Sequence, residues 1–305
     1  MEFKIRFACI EDHPDIFELA EATWEPADYI FDAFPEWIKD PNTISLVAAD
    51  PMLDKVLGLV TMTINSDQGW IQGLRTHPEA RRRGIATALV KQAIKEAEEI
   101  DQVRFIRMGT AAGQEITKKI ARKFGFQLIG SFRGCFLRPE ILQQLAREAP
   151  LELMQVRPDE LDALLHILEE IPFLAERRLI LEPFAVAPLN LTELERLSKL
   201  GSFWTTESRN LVLYFELELE DSGVSIGCTT VKKPMFQPKE FWAAFNKLIH
   251  DQLPKKYDLD NAKEIALFSN SDLESTFPGI SQFLNKSRTE SGLRCFEEII
   301  FEKEI

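Results

Sequence analysis

The sequence predicts an α/β chain in two halves, each built on a mixed β-sheet. Three observations predict it. Short apolar, β-branched runs alternate with helical periods through the first half. A strand from Trp70 to Arg75 runs through a basic turn straight into a long amphipathic helix. The second half repeats a strand-to-helix spacing of the first: Gly73 to Gly84 and Gly227 to Pro238 are both eleven residues apart.

Lys4 to Ala8 reads as a strand, and Glu11-Asp12-His13-Pro14 is an acidic helix start. Ile16 to Trp37 has helical character, but Pro26 and Pro35 break it into two or three short helices. Ile44 to Ala49 and Val56 to Ile64 form a hairpin around Asp50-Pro51. Ala86, Leu89, Val90, Ala93, Ile94 and Ala97 lie on one apolar helical face. A buried strand follows from Val103 to Met108. Ile116, Ile120 and Phe124 mark another helix, ended by Gly125, and Phe126 to Leu137 is one or two strands.

Later, Leu211 to Leu217 and Val224 to Thr230 pair around Asp221-Ser222-Gly223, and Phe241 to Ile249 is a helical face. Ile265 to Phe268 and Cys295 to Phe301 are the closing strands. The expected division is a first domain over 1–138, a linker over 139–150 and a second domain over 151–305.

With 45% hydrophobic and 28% charged residues among 305, the chain can bury a sizeable core. A net charge of -13 argues against nucleic acid as a general partner, because phosphate neutralisation needs a basic surface. Four dispersed cysteines without close spacing argue against a disulfide framework or a metal site. The amino terminus has no signal-peptide character and no apolar run reaches membrane-spanning length. A cytoplasmic monomer or homodimer, with neither membrane nor nucleic-acid partners, is the expectation.

The chemistry concentrates in Gly73 to Leu89. A helix N-terminus offers unpaired amides and partial positive charge, and Gly84 and Ala86 let a ligand come close to the backbone. Arg81, Arg82 and Arg83 add fixed charge. A pyrophosphate is the expected guest, with Gly84, Ile85, Ala86 and Thr87 supplying the amides.

Arg81-x-x-Gly84-x-Ala86, the approach Thr76-His77-Pro78-Glu79, and Lys123-Phe124-Gly125-Phe126 resemble the signatures of the GNAT family of N-acetyltransferases. The resemblance covers residues 3–138. It implies the acyl-CoA acyltransferase fold of that family in tandem, with a degenerate second copy, and acetyl-CoA as cofactor. It also implies that Leu74, Arg75 and Thr76 pair with the pantetheine arm and that Gln114 touches it. The pattern Tyr29 to Pro41, then Gly73-Leu74-Arg75, and the carboxyl end from Glu264 to Ile305 are similar to vertebrate histidine N-acetyltransferase and its relatives. That narrower similarity implies a small-molecule amine acceptor, a free amino acid such as histidine, with Tyr29 and Trp37 as substrate contacts.

The chain departs from both families. Gln72 stands where the narrower one has Glu; as a neutral amide it can orient a water, a positioning role, but cannot act as a base. Ala121 stands where the broader one often has a Tyr acid. Glu25, Asp28, Asp32 and Glu36 lie in the region that walls the acceptor pocket in this family, either as contacts or as solvated helix faces. The spacing sets Met235 to Glu240 against Arg81 to Ala86, with Pro238 in place of Gly84, so the second half should hold no CoA. Transfer to a protein amine, and a non-catalytic acyl-CoA sensor, are the competing readings.

Overall fold

The structure is a computed structural model that describes residues 2–23, 28–137, 153–170, 178–182, 185–207, 209, 211–216, 223–230, 264–269 and 293–305. They fall into two compact units, Met1–Gly130 with Ile299–Ile305, and Ser131–Glu298.

The first unit opens with β1 (Lys4–Phe7), α1 (His13–Thr23) and α2 (Ile30–Lys39), then β2 (Thr43–Ala49), β3 (Val56–Asn65) and β4 (Gln68–Thr76). These four strands pair antiparallel in order. Next come α3 (Ile85–Glu98), β5 (Phe105–Ala111) and α4 (Glu115–Lys123). β5 pairs parallel to β4, from Gln68↔Phe105 to Ile71↔Met108.

Pro35 lies inside α2 rather than ending a helix, which corrects the sequence expectation. Proline removes the amide that would bond the carbonyl four residues back. That carbonyl, Phe31 O, instead lies 3.1 Å from His13 Nε2 of α1, and the His13 ring stacks on Phe31 at 4.4 Å between centroids. The neighbouring helix satisfies the gap.

The two sheet faces of the unit differ. One is filled by α3, whose Ile85, Leu89, Val90, Ala93, Ile94 and Ala97 pack on Val60, Met62, Ile71, Ile106 and Met108. The start of α3 is pressed onto β3 where a Cβ on Gly58 would lie 2.8 Å from Ile85 Cγ2. Only a residue without a side chain allows that approach. The other face carries α1 and α2, through Ile16, Leu19, Ile30 and Phe34 against Val47 and Leu59. In α4, Ile120 is buried, whereas Ile116, expected on the core face, is 70% exposed.

The unit is completed from the far end of the chain. The terminal strand β14 (Leu293–Glu304) runs beside β5, and its Phe301 is buried in the α3 core. Ile305 N donates to Arg104 O at 2.9 Å. Arg107 is 3% exposed and donates to Gln68 Oε1 and Glu302 Oε2, both at 2.7 Å. Burial draws the Arg107 guanidinium below its ordinary pKa, with Glu302 opposing that shift. A contiguous first domain over 1–138 therefore lacks a strand that this unit contains.

In the second unit, β6 (Gln127–Leu137) contributes Ser131 to Leu137, followed by β7 (Leu153–Gln155), α5 (Leu161–Glu169), β8 (Leu179–Glu182), β9 (Ala185–Pro188) and α6 (Leu191–Leu200). Then come β10 (Gly201–Thr206), β11 (Leu211–Glu216), β12 (Gly223–Thr230) and β13 (Glu264–Ser269). Leu164, Leu168, Leu194, Leu197, Phe203 and Tyr214 form its core. Asn190 caps α6 by accepting from Glu193 N at 2.9 Å.

The sheet order repeats that of the first unit. β7, β10, β11 and β12 pair antiparallel and β13 pairs parallel to β12, as β1 to β4 and β5 do. The expected linker over 139–150, the helical face Phe241 to Ile249 and the segment Met235 to Glu240 lie outside the described residues.

Candidate acetyl-CoA and acceptor site

The expected phosphate turn is a short 3-10 turn (Pro78–Ala80) followed by an open loop into α3. Nδ1 of His77 accepts from Glu79 N at 3.4 Å, a turn role. Arg82 has φ 62 and Gly84 φ 83, so the loop passes through the left-handed region twice within three residues. Gly84 is the N-cap of α3, without a side-chain cap, and its carbonyl accepts the first helical bond from Ala88 N at 2.9 Å. The amides of Ile85, Ala86 and Thr87 precede that bond and open outward, as helix N-termini do. A Cβ on Gly84 would meet nothing within 4 Å. Arg81 and Arg82 are exposed, while Arg83 reaches back to Glu2 O at 3.4 Å. The turn thus offers backbone donors and two solvent-facing guanidinium groups around an open space.

Leu74, Arg75 and Thr76 lie where β4 has parted from β5. Pairing ends at Ile71↔Met108, yet β4 continues to Thr76 and β5 to Ala111. The facing edges beyond that point are not bonded to each other. Thr76 Oγ1 is buried without a hydrogen-bond partner among the described residues. Such a hydroxyl costs about 1–3 kcal/mol unless a ligand satisfies it. Gln114 is the exposed N-cap of α4 just past the β5 edge, and its side chain does not cap the helix.

At the parting point β4 carries a bulge, because Leu59 pairs with Arg75 but Thr61 with Gln72. Gly73 sits there with φ 61, and a Cβ on it would come within 3.0 Å of the Trp37 ring. Its amide donates to the Tyr29 hydroxyl at 3.2 Å. Tyr29 and Trp37 meet edge to face at 6.0 Å, and the Arg75 guanidinium lies 5.6 Å from the centre of the Tyr29 ring. The bulge, Tyr29 at the start of α2 and Trp37 near its end are therefore one assembly.

The Arg75 side chain is turned away from the phosphate turn. Its Nε and Nη2 donate to both Asp28 oxygens, at 2.5 and 2.9 Å, and Asp28 also accepts from Thr23 Oγ1 at 3.1 Å. Only the Arg75 backbone faces the β4 edge. With its side chain 1% exposed, Asp28 is a structural anchor and does not contact an acceptor. Asp32 is exposed, Glu36 is exposed and paired with Lys39 at 2.7 Å, and Glu25 lies outside the described residues. Ala121 is fully buried in the α3 core.

The Gln72 side chain lies on the α2 side of the sheet. Its Nε2 donates to Thr63 Oγ1 at 2.9 Å, Thr63 lies 3.4 Å from Thr43 Oγ1, and Thr43 donates to Asp40 Oδ2 at 3.0 Å. Ser45 and Thr61 hydroxyls meet alongside at 3.0 Å. Sequence reasoning missed this polar stripe. Its signal was the alternation of Thr43 with Ser45 and of Thr61 with Thr63 inside otherwise apolar strands.

Among the described residues no cluster of side chains fits a metal ion, and no helix is long and apolar enough to cross a membrane.

Comparison with known proteins follows the same lines. Residues 10–126 match the profile of the Acetyltransferase (GNAT) family. The fold over 99% of the chain is similar to a GCN5-related N-acetyltransferase from Sphaerobacter thermophilus, at TM-score 0.63, 12% identity and 95% coverage of that chain. It is also similar to a tandem GNAT protein from the clavulanic acid biosynthesis pathway, at TM-score 0.58, 12% identity and 98% coverage of that chain. No curated protein sequence matches.

Proposed function

We propose that the chain is an acetyltransferase of the GNAT kind, whose family profile its residues 10–126 match, with acetyl-CoA as donor and the amine of a free amino acid, histidine first, as acceptor. One observation carries the reading. The two stretches with the narrower resemblance, Tyr29 to Pro41 and Gly73 to Arg75, are in contact through Tyr29 and Trp37.

The residues present fit the donor. The amides of Ile85, Ala86 and Thr87, with Arg81 and Arg82, would hold its pyrophosphate, and the open edge from Leu74 to Thr76 its pantetheine arm. When bound, the donor supplies an acetyl group activated as a thioester. The chain supplies position and polarity. Because α3 fills one face of the sheet with apolar side chains, an amine reaches the bulge from the α2 face, past Tyr29, Trp37 and Gln72. Backbone donors on the open edge from Leu74 to Thr76 would favour negative charge developing on a carbonyl oxygen. The amine has to reach the thioester neutral, because only a free lone pair attacks the carbonyl.

The second half is proposed as an eroded copy that binds no CoA. Its parallel pair supports this: β13 stays paired to β12 from Glu264 to Ser269, its whole length, without the parting seen in the first unit.

Thiol release from acetyl-CoA tests the reading, with each of the twenty amino acids and with a lysine peptide. Release with a free amino acid, histidine foremost, is expected. Release with the peptide alone would show transfer to a protein amine, and binding without any release would show a sensor.

A further inference from the structure

Proton counting along the polar stripe fixes which way Gln72 faces. Asp40 Oδ1 accepts from Asn42 N at 2.9 Å, and Oδ2 accepts from Thr43 Oγ1 at 3.0 Å. A threonine hydroxyl has one hydrogen, and Thr43 spends it on the carboxylate. Thr43 can then only accept from Thr63, 3.4 Å away, and so Thr63 has spent its hydrogen as well. The remaining contact, 2.9 Å between Thr63 Oγ1 and the Gln72 amide, must therefore be donated by Nε2. The direction of every bond follows from the acceptor-only carboxylate at one end. Gln72 Oε1 is thereby turned the other way, and it takes no hydrogen bond from any described residue.

We propose that Asp40, Thr43 and Thr63 are positioning residues that lock the Gln72 amide with its carbonyl oxygen presented to the acceptor amine. Gln72 stands one residue before the bulge at Gly73, where β4 leaves β5, and on the face that Trp37 walls. A carbonyl oxygen there accepts one N–H of the amine and aims its lone pair, while taking up no proton itself. This rests on the acceptor reading above.

The chain of bonds predicts an unusual mutational signature. In Asp40→Asn the Asn42 amide still requires an oxygen at Oδ1, so the new NH2 stands at the Oδ2 position and donates to Thr43. Each hydroxyl then reverses, and Thr63 donates to the glutamine, which must turn its oxygen inward and its NH2 toward the acceptor. Asp40→Asn should raise the KM for L-histidine by about tenfold or more, the scale of one hydrogen bond replaced by a mismatch, with the Kd of acetyl-CoA unchanged. Thr63→Val cuts the chain and frees the amide. Adding it to Asp40→Asn should lower KM again, a coupling of opposite sign from two independent defects. Thr63→Ser, which keeps the hydroxyl, should behave as wild type.

The measurement is steady-state kinetics with acetyl-CoA and L-histidine on the full chain, with calorimetry of acetyl-CoA. It is paired with NMR of the Gln72 NH2, assigned by its loss in Gln72→Glu. A nuclear Overhauser contact between that NH2 and the Thr63 methyl in wild type, absent in Asp40→Asn, is expected. A KM within twofold of wild type in Asp40→Asn, additive losses in the double variant, or the same contact in both spectra would overturn the proposal. If wild type turns over no free amino acid, the acceptor reading fails, and the spectra still decide the direction of the amide.

Discussion

Gly84 and Gly125 make a matched pair for testing the phosphate turn. Both lie in the left-handed region, at φ 83 and 80, and a Cβ on either meets nothing within 4 Å. Alanine at either site therefore costs the conformational penalty alone, about 1–2 kcal/mol, seen as a few degrees in Tm. Their surroundings differ in function. Gly84 stands over the open amides of Ile85, Ala86 and Thr87, whereas Gly125 ends α4 with its amide bonded to Arg122 O. A methyl at Gly84 occupies the approach to the amides and displaces a phosphate from one or two charge-assisted bonds. At about 1.5–3 kcal/mol each, the loss is on the order of a hundredfold in Kd. Calorimetry of acetyl-CoA on both alanine variants, after circular dichroism shows each folded, reads the difference. Gly125→Ala should bind as wild type. Equal affinities in the two variants would refute the assignment of the turn.

Two further predictions concern the strand that ends the chain. Glu302→Ala removes the carboxylate hydrogen-bonded to the buried Arg107, and should destabilise the first unit by about 3–5 kcal/mol. A shift in urea unfolding under 1 kcal/mol would show that water already screens the pair. Burial pushes the Glu298 carboxyl up to about 7 from an ordinary 4.5. The unfolded chain releases this proton first, so stability should fall as pH rises between those values and level off above 7. Glu298→Gln should remove that slope and stabilise the chain at pH 8 by at most about 3 kcal/mol. An unchanged slope from pH 4.5 to 7 would contradict it.

What the sequence made legible was local. The strand, the basic turn and the helix from Trp70 to Ala97 were readable because charge, Gly84 and an apolar period coincide within one continuous stretch. The first unit's strands and helices followed from their periodicity for the same reason. Pro35 was misread because the partner that relieves its helix, His13, lies on another helix. The strands and helices between Leu153 and Thr206 went unread, being short and without a strong period. Cys295 to Phe301 was readable as a strand, but nothing in its own residues says that Glu302 meets Arg107. The Gln72 bonds were hidden for a similar reason: Asp40, Thr43 and Thr63 come together only through the register of β2 on β3. Asp28, open in the sequence between acceptor contact and solvated face, is neither, because Arg75 on a distant strand occupies both its oxygens.

The proposed division of labour puts the donor site in the first half of the chain and none in the second. Native mass spectrometry of the full chain in excess acetyl-CoA counts bound molecules directly. One acetyl-CoA per chain, lost in Gly84→Ala, is the predicted result, and two per chain, or one that survives Gly84→Ala undiminished, would contradict it.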